Sequence, residues 1–112
     1  MKAPLAAYKE FIDAAVSVKK AATAQWVIKG AFPDVQANQQ RNTILASLTQ
    51  AQRDELALIV QEAKESGVHD LLALLNDTAE LEYLGTKLPK EPFGTELHFD
   101  FVARSAGDSW PE

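Results

Sequence analysis

Leu97-His98-Phe99-Asp100-Phe101-Val102-Ala103-Arg104 is the stretch whose reading decides the fold class. Apolar and polar residues alternate along it. Leu97, Phe99, Phe101 and Ala103 point one way, and His98, Asp100, Val102 and Arg104 point the other, the period-two pattern of a strand with one buried face. A strand needs partners, and the upstream sequence offers them. Leu81, Tyr83 and Leu88 frame Gly85-Thr86, a turn between two short strands, while Pro89 and Pro92 keep the next segment extended but unpaired. Downstream, 105–112 reads as a loop whose one large apolar group is Trp110.

Toward the N-terminus the period changes to that of helices. Pro4 opens a first helix with Leu5, Tyr8, Ile12, Ala15 and Val16 on one face, and Lys19 and Lys20 suit its C-terminal end. Gly30 and Phe32-Pro33-Asp34 place a loop from about Gly30 to Gln40, after which Asn42 offers an N-cap ahead of Ile44, Leu45 and Leu48. Thr49 and Gln52 form a capping-box pattern before Leu56, Ile59, Val60 and Ala63, predicting a helix over about 50–65 that ends at Gly67. Val68, Leu71, Leu72 and Leu75 predict a separate short helix over about 69–77, set at a sharp angle to it. Helices first and strands last give an α+β fold: about four N-terminal amphipathic helices on a small C-terminal antiparallel sheet of two to three strands, as one domain over 1–112.

Composition narrows the function classes. With 46% hydrophobic and 24% charged residues, the 112-residue chain is too apolar for a disordered tail. It has no cysteine, which removes disulfides, thiolate metal sites and thiol nucleophiles and fits a reducing, cytoplasmic setting. Its longest apolar runs, such as Leu71-Leu72-Ala73-Leu74-Leu75, fall far below the roughly 20 residues of a membrane span, and Lys9 and Glu10 interrupt any secretory signal. The net charge of −5, with nothing more basic than Lys19-Lys20, argues against nucleic acid. That charge is uneven. Residues 1–48 carry six cations against three carboxylates, and residues 49–112 carry five against thirteen.

Chemistry-bearing motifs are scarce. None of the five glycines forms a phosphate-binding loop, and no serine sits in Gly-x-Ser-x-Gly, so no catalytic residue and no cofactor is expected. Each of the two histidines has an aspartate nearby: His69-Asp70, and His98 with Asp100 on one strand face about 6.6 Å apart. Two imidazoles and two carboxylates, if brought together, form a metal site for a hydrolase or small-ligand enzyme. The plainer reading makes His69-Asp70 a helix start favoured by the dipole, and His98, Asp100 and Arg104 a solvated sheet face. Phe99 and Phe101 read as core. Trp26, Phe32, Phe93 and Trp110 read as rings sealing the core edges, with Trp110 the exception that faces a partner.

Several segments, Trp26-Val27-Ile28-Lys29-Gly30, Leu48-Thr49 through Arg53, 67–72, 92–100, and Ala103-Arg104 with Gly107-Asp108-Ser109-Trp110-Pro111, together resemble an uncharacterised family of short bacterial proteins of about 110 residues. The resemblance covers nearly the whole chain and carries no activity with it. The sequence thus points to a cytoplasmic protein that binds a protein partner or a second copy of itself rather than to an enzyme. His69, Asp70, His98, Asp100, Arg104 and Trp110 mark its candidate surface; the metal-dependent enzyme built on His69, Asp70, His98 and Asp100 is the alternative.

Overall fold

The computed structural model describes residues 2–111. In chain order it contains α1 (Pro4–Val18), α2 (Ala22–Lys29), a 3-10 turn (Gln36–Asn38), α3 (Gln39–Ala46), α4 (Gln50–Thr78), β1 (Glu82–Tyr83), β2 (Thr86–Lys87) and α5 (Leu97–Ser105). The architecture is α+β, with a two-stranded antiparallel sheet near the C-terminus. The chain divides into two compact units. One is built from residues through Lys19 together with those from Ser66 onward, and the other from Lys20–Glu65.

In the first unit, Pro4 starts α1 in its first turn, where a missing N–H leaves no helical bond unmade. Ala7, Tyr8, Ile12 and Ala15 are the buried face of α1, and they pack with Leu72, Leu88, Leu97 and Phe101. Val16 packs at the edge of this cluster, whereas Leu5 is exposed. The hairpin lies against α1. Glu82 pairs with Lys87 and Tyr83 with Thr86, so Thr86 belongs to the strand and the tip is Leu84-Gly85. Both tip residues have positive φ, 48° and 84°, the pairing that a two-residue hairpin of the right twist requires.

The stretch 97–104 is a helix, not the third strand that its alternation predicts. Leu97 and Phe101 lie four apart, so they share a face in a strand and in a helix alike. The two readings part at the residues between. In α5 the buried set is Leu97, Asp100 and Phe101, at i, i+3 and i+4, while Phe99, expected in the core, is 54% exposed. What tips the balance is tertiary. The Leu97 N–H at the start of α5 donates to Oδ1 of Asn76 at 3.0 Å, satisfying an orphan donor from 21 residues away.

Gly67 does not end a helix. α4 runs continuously through it, replacing the two helices and sharp joint expected over 50–65 and 69–77. A glycine inside a helix costs roughly 1 kcal/mol, and packing of Val68, Leu72 and Leu75 on the first core offsets it.

The second unit has a small alanine-rich core of Ala21, Ala24, Val27, Leu45 and Ala57, edged by Phe32, Leu48, Leu56 and Val60. The expected face of α4 is displaced here, with Ala57 buried and Ile59 and Ala63 exposed. The Thr49/Gln52 capping box forms in both directions: the Thr49 N–H donates to Gln52 Oε1 at 2.9 Å and the Gln52 N–H to Thr49 Oγ1 at 3.1 Å. Asn42 is not an N-cap. It lies inside α3, and its side chain brackets Phe32, accepting from the backbone N–H at 2.7 Å and donating to the carbonyl at 3.2 Å. Gly30 ends α2 at φ 92°, and a Cβ there would meet Arg53 Nε at 3.3 Å. The Arg53 guanidinium closes α3 by donating to the Leu48 carbonyl at 2.7 Å.

Candidate functional site

Asp100, placed on a solvated strand face by the sequence, is 5% exposed and lies inside the first unit. Helix α5 turns it inward beside Phe101, where its carboxylate accepts the Tyr8 hydroxyl on one oxygen and the Thr95 hydroxyl, at 2.5 Å, on the other. Two hydroxyl donors thus stabilise a buried carboxylate, joining α1, the turn before α5 and α5 itself. The phenol of Tyr8 responds strongly. Burial first, then the hydrogen bond to Asp100 and the negative charges of Asp100 and Glu91, push its pKa well above the ordinary value near 10. Tyr8 is held as a neutral donor.

On the Tyr8 side of this pair lies a cavity of about 510 Å³. Its walls are largely apolar, formed by Pro4 and Tyr8, by Leu75 and Ala79 at the end of α4, and by Leu81, Leu88, Pro89 and Leu97. Besides Tyr8, its polar side chains are Asn76, Glu80, Lys87, Lys90 and Glu91. Glu80 and Lys87 form an ion pair at 3.3 Å, and Asn76, which also lines the cavity, turns its Nδ2 group toward Glu91 at 3.4 Å. That volume lies within the range of small-molecule sites.

The Asp100 side opens on a smaller groove of about 180 Å³, lined by Phe93, Phe99, Arg104 and Trp110 among others. Three candidates from the sequence, Asp100, Arg104 and Trp110, therefore come together there. Arg104 is committed to the fold: it holds Asp13 through two nitrogens at 2.9 and 3.3 Å and donates to the Asp108 carbonyl at 2.8 Å. Trp110 lies with the Arg104 guanidinium 4.8 Å from its ring centre, stacks on Phe93 at 5.5 Å, and meets Tyr8 edge-on at 6.3 Å. The ring seals the core edge with its neighbours.

The remaining candidates meet in part. His69 and His98 stand edge to face with centroids 5.2 Å apart, which joins α4 to α5. Asp70 bonds Nδ1 of His69 at 3.0 Å, and Glu96, not Asp100, faces Nε2 of His98 at 3.3 Å. The four-residue metal set is not assembled, because Asp100 points to Tyr8 and Thr95 instead. Among the described residues no group of three or more His, Asp or Glu side chains is placed to hold a metal ion. Among the described residues no helix is long and apolar enough to cross a membrane.

A family model described as a family of unknown function matches the chain over residues 1–112. The chain belongs to the DUF6547 family. Neither the curated proteins nor the solved structures give a match. Membership in DUF6547 names no ligand, so the site's chemistry has to be read from the cavity and its residues. Sequence reasoning missed Tyr8, Asn76 and Glu91 as site residues, since each comes from a different element and none forms a motif. The only local signals were a tyrosine on an apolar helix face and an asparagine at a helix end.

Proposed function

We propose that the protein binds a small, mainly apolar molecule in the cavity beside Tyr8. The observation that carries this reading is the cavity itself: about 510 Å³, walled by Leu75, Leu81, Leu88 and Leu97. Apolar walls of this kind supply affinity through burial, and a few fixed polar groups set orientation. The reading is of a binding protein. The bacterial and cytoplasmic setting expected from the sequence is part of the same proposal.

Thermal denaturation with a panel of small apolar compounds tests it. Compounds that occupy the cavity raise the melting temperature, and Ala79→Trp, which fills the cavity from the exposed end of α4, removes that rise. A panel in which nothing raises the melting temperature, or in which Ala79→Trp changes nothing, rejects the reading.

A second reading, docking of a protein partner, is supported by exposed apolar groups in the same unit: Phe99 and Val102 on α5 and Leu71 and Leu74 on α4. The net charge of −5 works against a second copy of the chain, so a basic protein is the partner this surface fits. Under this reading Phe99→Lys abolishes co-purification of such a partner with no loss of thermal stability. Light scattering that finds a stable homodimer assigns the surface to self-association instead.

A further inference from the structure

Resting on the cavity as a ligand site, the geometry points to the class of ligand: an amphipathic molecule whose apolar body fills the cavity and whose uncharged head is a carboxamide or lactam, read by Asn76 and Glu91. The orientation of the Asn76 amide is fixed from the protein side. Its Oδ1 accepts the Leu97 N–H at 3.0 Å, so Nδ2 is the end that faces Glu91. Nδ2 reaches Glu91 Oε2 at 3.4 Å and Asp77 Oδ1 at 3.5 Å, both longer than the 2.7–3.2 Å of a well-made N–H···O bond. Asn76 is buried, and its Nδ2 has only these two long bonds, either of which a ligand carbonyl at normal distance can replace. Beside it, the Glu91 carboxylate keeps free lone pairs.

A donor next to an acceptor is the complement of an amide edge. The ligand carbonyl accepts from Asn76 and its N–H donates to Glu91. Glu91 is placed for this at a backbone cost, for its φ is +46°, in the region L residues rarely adopt, and its carbonyl is tied by the Gly94 N–H at 2.9 Å. Charge decides between head groups. The cavity is lined by Lys87 and Lys90 against Glu80 and Glu91, and Lys87 is already paired with Glu80. With the lining balanced, an anionic or cationic head loses hydration without a net opposite charge to meet it.

The test uses the full chain and a neutral apolar fluorophore, N-phenyl-1-naphthylamine, followed by displacement with octanamide, octanoate, octylammonium and octanol. The expected result is fluorophore binding that Ala79→Trp abolishes, and octanamide displacing it at about tenfold lower concentration than the other three, the effect of one hydrogen bond to a charged group. Glu91→Met, which removes the acceptor and keeps the side-chain length, retains fluorophore binding and loses the octanamide preference. Glu91→Gln, which keeps an acceptor oxygen, retains part of it. Equal displacement by all four compounds, or a preference for octanoate or octylammonium, overturns the head-group assignment while the cavity reading stands. Absence of fluorophore binding, or binding indifferent to Ala79→Trp, overturns both.

Discussion

The Tyr8 hydroxyl donates to the Asp100 carboxylate across 92 residues of chain, and both groups are buried. A short helix near the start and another near the end are thereby locked at one point, with the Thr95 hydroxyl completing the carboxylate's shell. Removing one member leaves the other, itself buried, without its partner.

Tyr8→Phe is therefore expected to destabilise the protein by about 2 kcal/mol, the range for a hydrogen bond to a charged group. Asp100→Asn should cost a similar amount, and the double variant less than the sum of the two. Urea denaturation of all four forms gives the coupling directly. Additive losses would show that the pair is adjacent but not energetically joined.

Alkaline titration follows from the same pair. The folded-state pKa of Tyr8 lies above its unfolded value near 10, so above about pH 10 the unfolded chain releases a proton that the folded chain retains. Its contribution is fully present below that pH and is lost as pH rises. Stability should fall with a slope that Tyr8→Phe flattens. In Tyr83→Phe, where Tyr8 is the remaining tyrosine, the phenolate absorbance band should appear only together with unfolding.

Two neighbouring phenylalanines separate the helical from the extended reading of 97–104. Phe101 has no exposed surface, and Phe101→Ala should cost about 3–5 kcal/mol through the cavity it leaves. Phe99→Ala should stay within about 0.5 kcal/mol. Comparable losses at the two positions in chemical denaturation would return both to one face.

At the hairpin tip, Leu84 is 80% exposed and sits at φ 48° ahead of Gly85. Leucine gains nothing from this position and bears the steric penalty of a left-handed backbone. Leu84→Asn should raise stability by about 1 kcal/mol, visible as a higher melting temperature. No gain would mean that the hairpin contributes little to the cooperative unit.

The sequence made some of this legible and hid the rest for identifiable reasons. The Thr49/Gln52 box, the start of α1 at Pro4 and the Tyr8/Ile12/Ala15 face are local patterns, and local patterns survive in the fold. The helix α5 was hidden because Leu97 and Phe101 satisfy both periods and its deciding cap, Asn76, comes from α4. The run through Gly67 was hidden because a glycine's cost is set by packing on either side of it. For the site, the nearness of His69 to His98 was open to conjecture, but the burial of Asp100 was not. Its burial depends on Tyr8, 92 positions earlier, and no spacing encodes that.

The first unit is assembled from the two outer parts of the chain, and the second from one uninterrupted span. During vectorial synthesis the difference becomes one of timing. The partners within Lys20–Glu65 all leave the ribosome together, whereas Tyr8 emerges and then waits about 5–20 s for Asp100 at ordinary elongation rates. For that interval the apolar stripe of α1 is exposed without its core. A nascent chain stalled before α5 should be recognised by chaperones through α1, and release of the stall should end that recognition.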